Sequence, residues 1–132
     1  MLHAICIEEG VEVFAPLVAA LAAKGWRVGW LELEAPPAID LPLEAALNAG
    51  AFRAVAVGGN RARALKSMKG APVLADVLRE YFKGCRLVLV LGQADLPRLR
   101  SRAGEWDLVT AGGVVKPLST VGLVRALGRP KL

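Results

Sequence analysis

Short apolar runs alternate with amphipathic segments along most of the chain. The runs have the length and continuity of buried strands, and they fall at residues 3–7, 26–31, 52–57 and 86–91. The segments between and after them predict helices over residues 11–24, 42–48, 72–82 and 120–127, the last capped by Ser119. Strands that alternate with helices predict a three-layer α/β fold, in which a mostly parallel sheet carries helices on both faces.

The pattern is weaker after the fourth apolar run. Short strands are predicted at residues 99–102, 108–109 and 114–115. We expect residues 94–116 to form an edge of the sheet, because apolar side chains there offer pairing surface. No repeat or low-complexity tract interrupts the chain, so its 132 residues are predicted to form one domain.

The turn after the first strand carries acidic residues where a nucleotide-binding α/β protein would hold phosphate. It reads Glu8-Glu9-Gly10, without the lysine and the hydroxyl of a phosphate loop. A phosphate site aims backbone N–H groups, a helix N-terminus and a lysine at negative charge, and carboxylates compete with that charge. We interpret the two glutamates either as an N-capping carboxylate beside a solvated charge, or as a pair that binds a cation or accepts protons.

A Gly-Gly-Asn turn and a basic stretch follow the third predicted strand. The turn, residues 58–60, lies at the usual ligand side of a parallel sheet. It is interpreted either as a loop that admits a ligand or as a tight turn that needs positive φ. In the basic stretch, Arg63, Lys66 and Lys69 would form one stripe if residues 61–69 were helical. That stripe is either a phosphate contact or a solvated face.

Three arginines alternate with other residues near the end of the predicted sheet. Arg98, Arg100 and Arg102 would share one face of a strand. That face is either an anion-binding patch or a charged edge that discourages aggregation.

Composition narrows the class of protein. The net charge is +5, which fits an anionic partner (a nucleotide, a pterin phosphate or a nucleic acid) or none at all. Nucleic acid is not expected, because no aromatic residue interleaves with the basic stretch. Cys6 and Cys85 are predicted to be reduced and buried, and the single histidine, His3, gives a metal site little support. Few amides suggest a thermophilic source. The apolar runs are too short to span a bilayer and the N-terminus does not resemble a signal peptide, so a cytoplasmic protein is expected.

Several segments together resemble molybdopterin-guanine dinucleotide biosynthesis protein B, a P-loop-type α/β family. The junction Lys24-Gly25-Trp26 resembles the family's passage from first helix to second strand. Residues 40–42 (Asp-Leu-Pro), 49–51 (Ala-Gly-Ala) and the run 85–92 occur in the family's order, and residues 114–127 resemble its closing strand and helix. The resemblance implies a P-loop NTPase-like frame, a homodimer, and a molybdenum-cofactor nucleotidyltransferase or another protein as partner.

Departures from the family fall on its chemistry. The phosphate loop is shortened to Glu8-Glu9-Gly10, the Gly-Lys-Asp-Ser segment is replaced by residues 43–46, and the strand-end glutamate is Leu91. We therefore expect GTP and Mg²⁺, implied by the resemblance alone, to bind weakly or not at all, and hydrolysis to be lost. No catalytic residue or metal ligand is predicted. The cofactor-binding candidates are Gly10, Asp40, Gly58, Gly59, Asn60, Arg61, Gly92, Arg98 and Arg102.

The receiver domains of response regulators offer an alternative resemblance. Glu8 and Glu9 after the first strand, and Lys116-Pro117 near the last, fit their pattern. Gly58 and Gly92 stand where a receiver has its phosphate-accepting aspartate and its Ser or Thr. This alternative implies an inactive protein-interaction module whose strands follow the order 2-1-3-4-5.

Overall fold

The computed structural model describes residues 3–33, 41–68 and 70–128. Contacts divide the chain into two compact units: Met1–Ala35 with Tyr81–Leu132, here called the main unit, and Pro36–Glu80, here called the hairpin unit. A single domain over the whole chain stays a prediction.

Twelve helices and strands occupy the described ranges, and most begin or end within two residues of their predicted positions. In chain order they are β1 (His3–Ile7), α1 (Val11–Ala23), β2 (Val28–Glu32), α2 (Leu41–Asn48), β3 (Arg53–Gly58), β4 (Arg61–Lys66), α3 (Leu74–Tyr81), β5 (Leu87–Leu91), β6 (Arg98–Arg102), β7 (Glu105–Val109), β8 (Val115–Leu118) and α4 (Thr120–Leu127). None of the described helices is both long and apolar enough to cross a membrane.

The main unit is built on a six-stranded sheet with the order β2-β5-β1-β6-β7-β8. The first four strands in that order are parallel, and β7 runs antiparallel to both of its neighbours. In the register of the parallel strands, Ile5 faces Leu89, and Leu89 faces Trp30. The expected α/β class with a mostly parallel sheet is therefore confirmed.

One face of this sheet holds most of the core. Phe14, at 0% exposure, projects from α1 and lies with its ring centroid 5.4 Å from that of Trp106 on β7. The fully buried side chains around it come from the strands and from both helices of the main unit: Ile5, Ile7, Leu17, Leu21, Leu87, Leu89, Leu99, Leu123 and Leu127. Helices α1 and α4 thus cover this face.

The opposite face is also buried. Cys6, Val88 and Val90 lie on it with 0–1% exposure. Phe82, just after α3, packs so closely on Gly29 that a Cβ there would lie 2.5 Å from the phenyl ring. A side chain at position 29 would displace that ring, so glycine at this position allows Phe82 to pack directly on the backbone of β2.

The prediction that residues 52–57 form a buried strand of the parallel sheet is wrong. This run becomes β3, which pairs antiparallel with β4 in a separate two-stranded sheet within the hairpin unit. The stripe in the basic stretch, expected only if residues 61–69 were helical, does not form, because residues 61–66 are strand β4. Lys69 lies outside the described residues. A two-stranded hairpin is marginally stable alone, and here α2 contacts both β3 and β4, where the buried Ala54 is paired with Leu65.

The sheet edge expected over residues 94–116 is narrower than predicted. Strands β6 and β7 are interior, and β8 forms the edge. Lys116 and Pro117 lie within β8, not in a loop after a strand as the receiver pattern requires. Proline is tolerated there because an edge strand does not need every N–H for the ladder.

Candidate functional site

The predicted site residues of the main unit gather at the carboxyl ends of the parallel strands. Ile7, Leu91 and Glu32 end their strands at the same level. Backbone hydrogen bonds join the residues just beyond β5 and β2 to the ends of neighbouring strands: Gly92 N donates to Ile7 O at 3.3 Å, and Leu33 N donates to Leu91 O at 2.9 Å. Ligands of open parallel sheets bind at this edge, so its chemistry decides what the protein can hold.

The turn after β1 is closed by an ion pair. Arg98 Nη1 donates to Glu8 Oε1 at 2.6 Å, because Arg98 lies opposite Cys6 on the neighbouring strand. The N-capping interpretation of Glu8 and Glu9 is wrong, since the N-cap of α1 is Gly10 and no side chain bonds to the exposed N–H groups there. Arg98, predicted to bind an anion, is thus already engaged by a carboxylate.

A second carboxylate lies at the start of α1. Glu12 Oε2 is 2.9 Å from the point that a Cβ on Gly10 would occupy, so the carboxylate fills the space beside the N-cap. Its charge is favourable next to the helix N-terminus, which carries about half a positive charge. A phosphate would need the same space and would meet negative charge from Glu12 as well as from the exposed Glu9.

The backbone of Gly92 packs closely against the side chain of Leu33. Its φ is +139°, and a Cβ there would lie 2.8 Å from Leu33 Cβ. Glycine is therefore required at this strand end by the backbone and by Leu33. The space that a ligand would use to reach the backbone of Gly92 is filled by that leucine.

The three arginines of β6 share a face, as predicted, but two of them are paired. Arg102 Nε lies 3.1 Å from Asp107 and its Nη2 lies 3.9 Å from Glu105, both on β7. Arg98 is held by Glu8, and Arg98 and Arg102 are separated by about 13 Å along the strand. Within the described residues, Arg100 is exposed and forms no ion pair. The face is mainly a charge-balanced surface.

The remaining candidates belong to the hairpin unit or lie outside the described residues. Gly59 and Asn60 form the two-residue turn between β3 and β4, with Gly58 and Arg61 as the pair that closes it. The φ of Gly59 is +61°, which confirms the tight-turn interpretation at that residue. The turn joins two antiparallel strands, so it is not the strand-to-helix loop of a parallel sheet. Asp40 lies outside the described residues.

Sequence reasoning missed a cluster of charges in the hairpin unit. Glu80 accepts hydrogen bonds from Lys66 at 2.7 and 2.9 Å and from Arg53 at 2.7 Å, and the Lys66 bond contributes most to lowering the pKa of the Glu80 carboxyl. Both cations also lie over the ring of Phe52, at 5.5 and 5.3 Å from its centroid. Arg53 and Lys66 face each other across the hairpin, and that register is not visible in the sequence.

A groove of about 600 Å³ lies beside this cluster. Apart from the charged residues of α3 and Lys66, its walls are largely apolar: Phe52, Met68, Ala71, Pro72, Val73 and Val77. Glu80 engages both of the nearest cations and offsets one of their two charges. A second carboxylate, that of Asp76, also lines the groove, which is therefore poorly suited to an anion.

The two cysteines are free, as expected, but only one is fully buried. Cys6 is 1% exposed and its thiol donates to Ala94 O at 3.5 Å, whereas Cys85 is half-buried. Burial raises the pKa of the Cys6 thiol, so little thiolate forms near neutral pH. Within the described ranges, no group of three or more His, Cys, Asp or Glu side chains is arranged to hold a metal ion.

Compared with known proteins, the chain matches no protein-family model and no curated protein. The two family resemblances noted in the sequence stay hypotheses.

Proposed function

We propose that this protein is a non-hydrolysing accessory protein, related to molybdopterin-guanine dinucleotide biosynthesis protein B, whose carboxyl edge no longer holds a nucleotide. The observation that carries the proposal is the Glu12 carboxylate beside the N-cap of α1, in the place where a P-loop protein binds phosphate. The pairing of Glu8 with Arg98 and the contact of Leu33 with Gly92 also support it. In this proposal the protein acts by contact with a partner, such as a molybdenum-cofactor nucleotidyltransferase.

Two observations count against the receiver alternative. Strand β5 lies between β1 and β2, whereas the order 2-1-3-4-5 would make β1 and β2 neighbours. Lys116 also lies inside the edge strand β8. Within residues 3–33, 41–68 and 70–128, no specific feature favours a receiver-shaped module.

Isothermal titration with GTP and Mg²⁺ is expected to show no tight site and no turnover. The physical reason is that the Glu12 carboxylate lies beside the N-cap of α1 and that the turn over residues 8–10 contains no lysine. A variant in which Glu8 and Glu12 are both replaced by glutamine should gain weak phosphate affinity, because the frame of the site is intact. A variant with Glu44→Gln, on α2, is the control and should behave as wild type. Micromolar GTP binding with hydrolysis by the wild-type protein would refute the proposal.

We further propose a symmetric homodimer that forms partly through the β8 edge. Val114 and Val115 are 58% and 56% exposed at this edge, so they offer apolar side chains to a second copy. Light scattering should give about twice the chain mass of 13.9 kDa. Val115→Lys should shift the protein to monomer because it places charge in the contact, whereas Val57→Lys, in the hairpin unit, should not. A wild-type monomer that persists on concentration would contradict the dimer.

A further inference from the structure

The amino-terminal edge of the main sheet, opposite the edge described so far, carries a cluster of basic side chains. We call it the basic edge and define it by five exposed residues: Lys24, Arg27, Lys83, Arg86 and Arg125. They meet because α1 ends, β2 and β5 begin and α4 ends at this edge. The backbone fixes the arrangement: Arg86 N donates to Arg27 O at 2.8 Å, and His3 N donates to Arg86 O at 3.1 Å.

In the described part of the main unit, carboxylates do not balance the charge of the basic edge. Within the described residues, none of its five cations forms a salt bridge. The described acids of the main unit all lie at the carboxyl edge, in the loop after β5 or on β7: Glu8, Glu9, Glu12, Glu32, Asp95, Glu105 and Asp107. The carboxyl ends of α1 and α4 together offset about one unit of charge, so about four positive charges remain.

Trp26 holds one of these cations in a fixed position. The guanidinium of Arg86 lies 3.8 Å from the ring centroid of Trp26, which is a stacked cation–π contact. Such a contact restrains the side chain without neutralising its charge. The N–H groups at the rim of the guanidinium therefore stay available for a carboxylate, which arginine can bind with two parallel hydrogen bonds.

A cleft of about 390 Å³ adjoins the stacked pair. It combines cations with apolar surface, and it is lined by Lys24, Trp26, Val121, Val124, Arg125 and Gly128. Val121 is 70% exposed on its wall. A single-stranded nucleic acid would need open aromatic faces for its bases, but one face of Trp26 is covered by Arg86 and the other apolar walls are aliphatic. Aliphatic walls beside cations suit a peptide that carries both carboxylates and an apolar side chain.

We propose that the basic edge docks an acidic segment of a partner protein. Carboxylates of that segment pair with Lys24, Arg86 and Arg125, and one apolar side chain enters the cleft beside Val121. The inference stands apart from the proposed function, because it uses none of the residues at the carboxyl edge.

Fluorescence anisotropy on the full chain tests this docking. The probe is a labelled synthetic peptide of glutamate and leucine, compared with the same peptide carrying glutamine for glutamate, the same peptide carrying serine for leucine, and an oligothymidine of equal charge. At about 0.15 M salt, where the Debye length is about 8 Å, the acidic peptide should bind tighter than the other three probes. An oligothymidine that binds tighter would overturn the proposal in favour of a nucleic-acid surface, and absence of peptide binding would overturn it outright.

Charge-reversal variants locate the contact. Lys24→Glu with Arg125→Glu should weaken peptide binding by about tenfold or more, since two attractive contacts become repulsive. Arg79→Glu with Arg100→Glu changes the net charge equally at exposed residues that do not belong to the basic edge, and should change binding less than about twofold. Circular dichroism checks that each variant is folded. Val121→Ser keeps every charge, and with this variant the leucine peptide should no longer bind tighter than the serine peptide. Equal loss in both charge variants would overturn the proposal. So would self-association of the wild type that the first variant abolishes, because a second copy would then be the occupant.

Discussion

Replacing Phe14 with alanine is expected to lower the free energy of unfolding of the main unit by about 3–5 kcal/mol. The side chain is 0% exposed and packs between α1 and β7 against Trp106. Its removal loses the transfer free energy of the ring and leaves a cavity that the flanking strands cannot fill. Since domains are stable by about 5–15 kcal/mol, this loss removes a large share of the total.

Urea unfolding followed by tryptophan fluorescence measures this loss. The chain has three tryptophans, Trp26, Trp30 and Trp106, and all lie in the main unit, so the signal reports that unit. Val11→Ala is the matched control, because Val11 is in the same helix but 56% exposed. Its effect should stay within about 0.5 kcal/mol. Equal midpoints for the two variants would show that Phe14 is not the centre of the core.

Gly92→Ala is expected to cost about 2–4 kcal/mol, from backbone strain and overpacking together. The φ of +139° is one that a residue with Cβ rarely adopts, and the new Cβ would lie 2.8 Å from Leu33 Cβ. Gly112→Ala is the control, because Gly112 does not have a positive φ and the atom nearest to a new Cβ there would be 4.0 Å away. That substitution should be close to neutral in the same assay.

A double variant separates the two causes. Leu33→Gly added to Gly92→Ala removes the clash but leaves the backbone strain. The double variant should therefore lose less free energy of unfolding than the two single variants lose together. Strict additivity would show that Leu33 does not press on position 92. The claim that Leu33 crowds this strand end, on which the closed carboxyl edge depends, would then be wrong.

Locally encoded elements could be predicted from the sequence. The bounds of β1 and α4 agree with the prediction, and the Ser119 hydroxyl accepts from Gly122 N at 3.1 Å as an N-cap should. A continuous apolar run or a cap residue acts within a few residues of chain. The run 52–57 shows the limit, because apolar continuity does not specify which strand is the neighbour, and pairing with β4 depends on the turn at Gly59.

The residues at the candidate site could be predicted, but not the ion pairs that they form. Gly10 and Arg98 do lie at the carboxyl edge of the main sheet. The contact that engages Arg98 joins it to Glu8, a residue 90 positions away, and follows from β6 lying beside β1. The basic edge escaped prediction for the same reason, because its five cations come from three separate stretches of chain, residues 24–27, residues 83–86 and Arg125.

Pro117 has a consequence for how copies of the protein can meet. Thr110 N donates to Val114 O at 2.9 Å, so the alternation of an antiparallel ladder directs the imino nitrogen of Pro117 away from β7, toward the open side. A strand added at that side would find no backbone N–H donor at Pro117, so one hydrogen bond of the new ladder would be missing. Copies that associate here are therefore held by side chains and not by a shared ladder. Growth into fibrils by endless strand addition is disfavoured, although the edge is open.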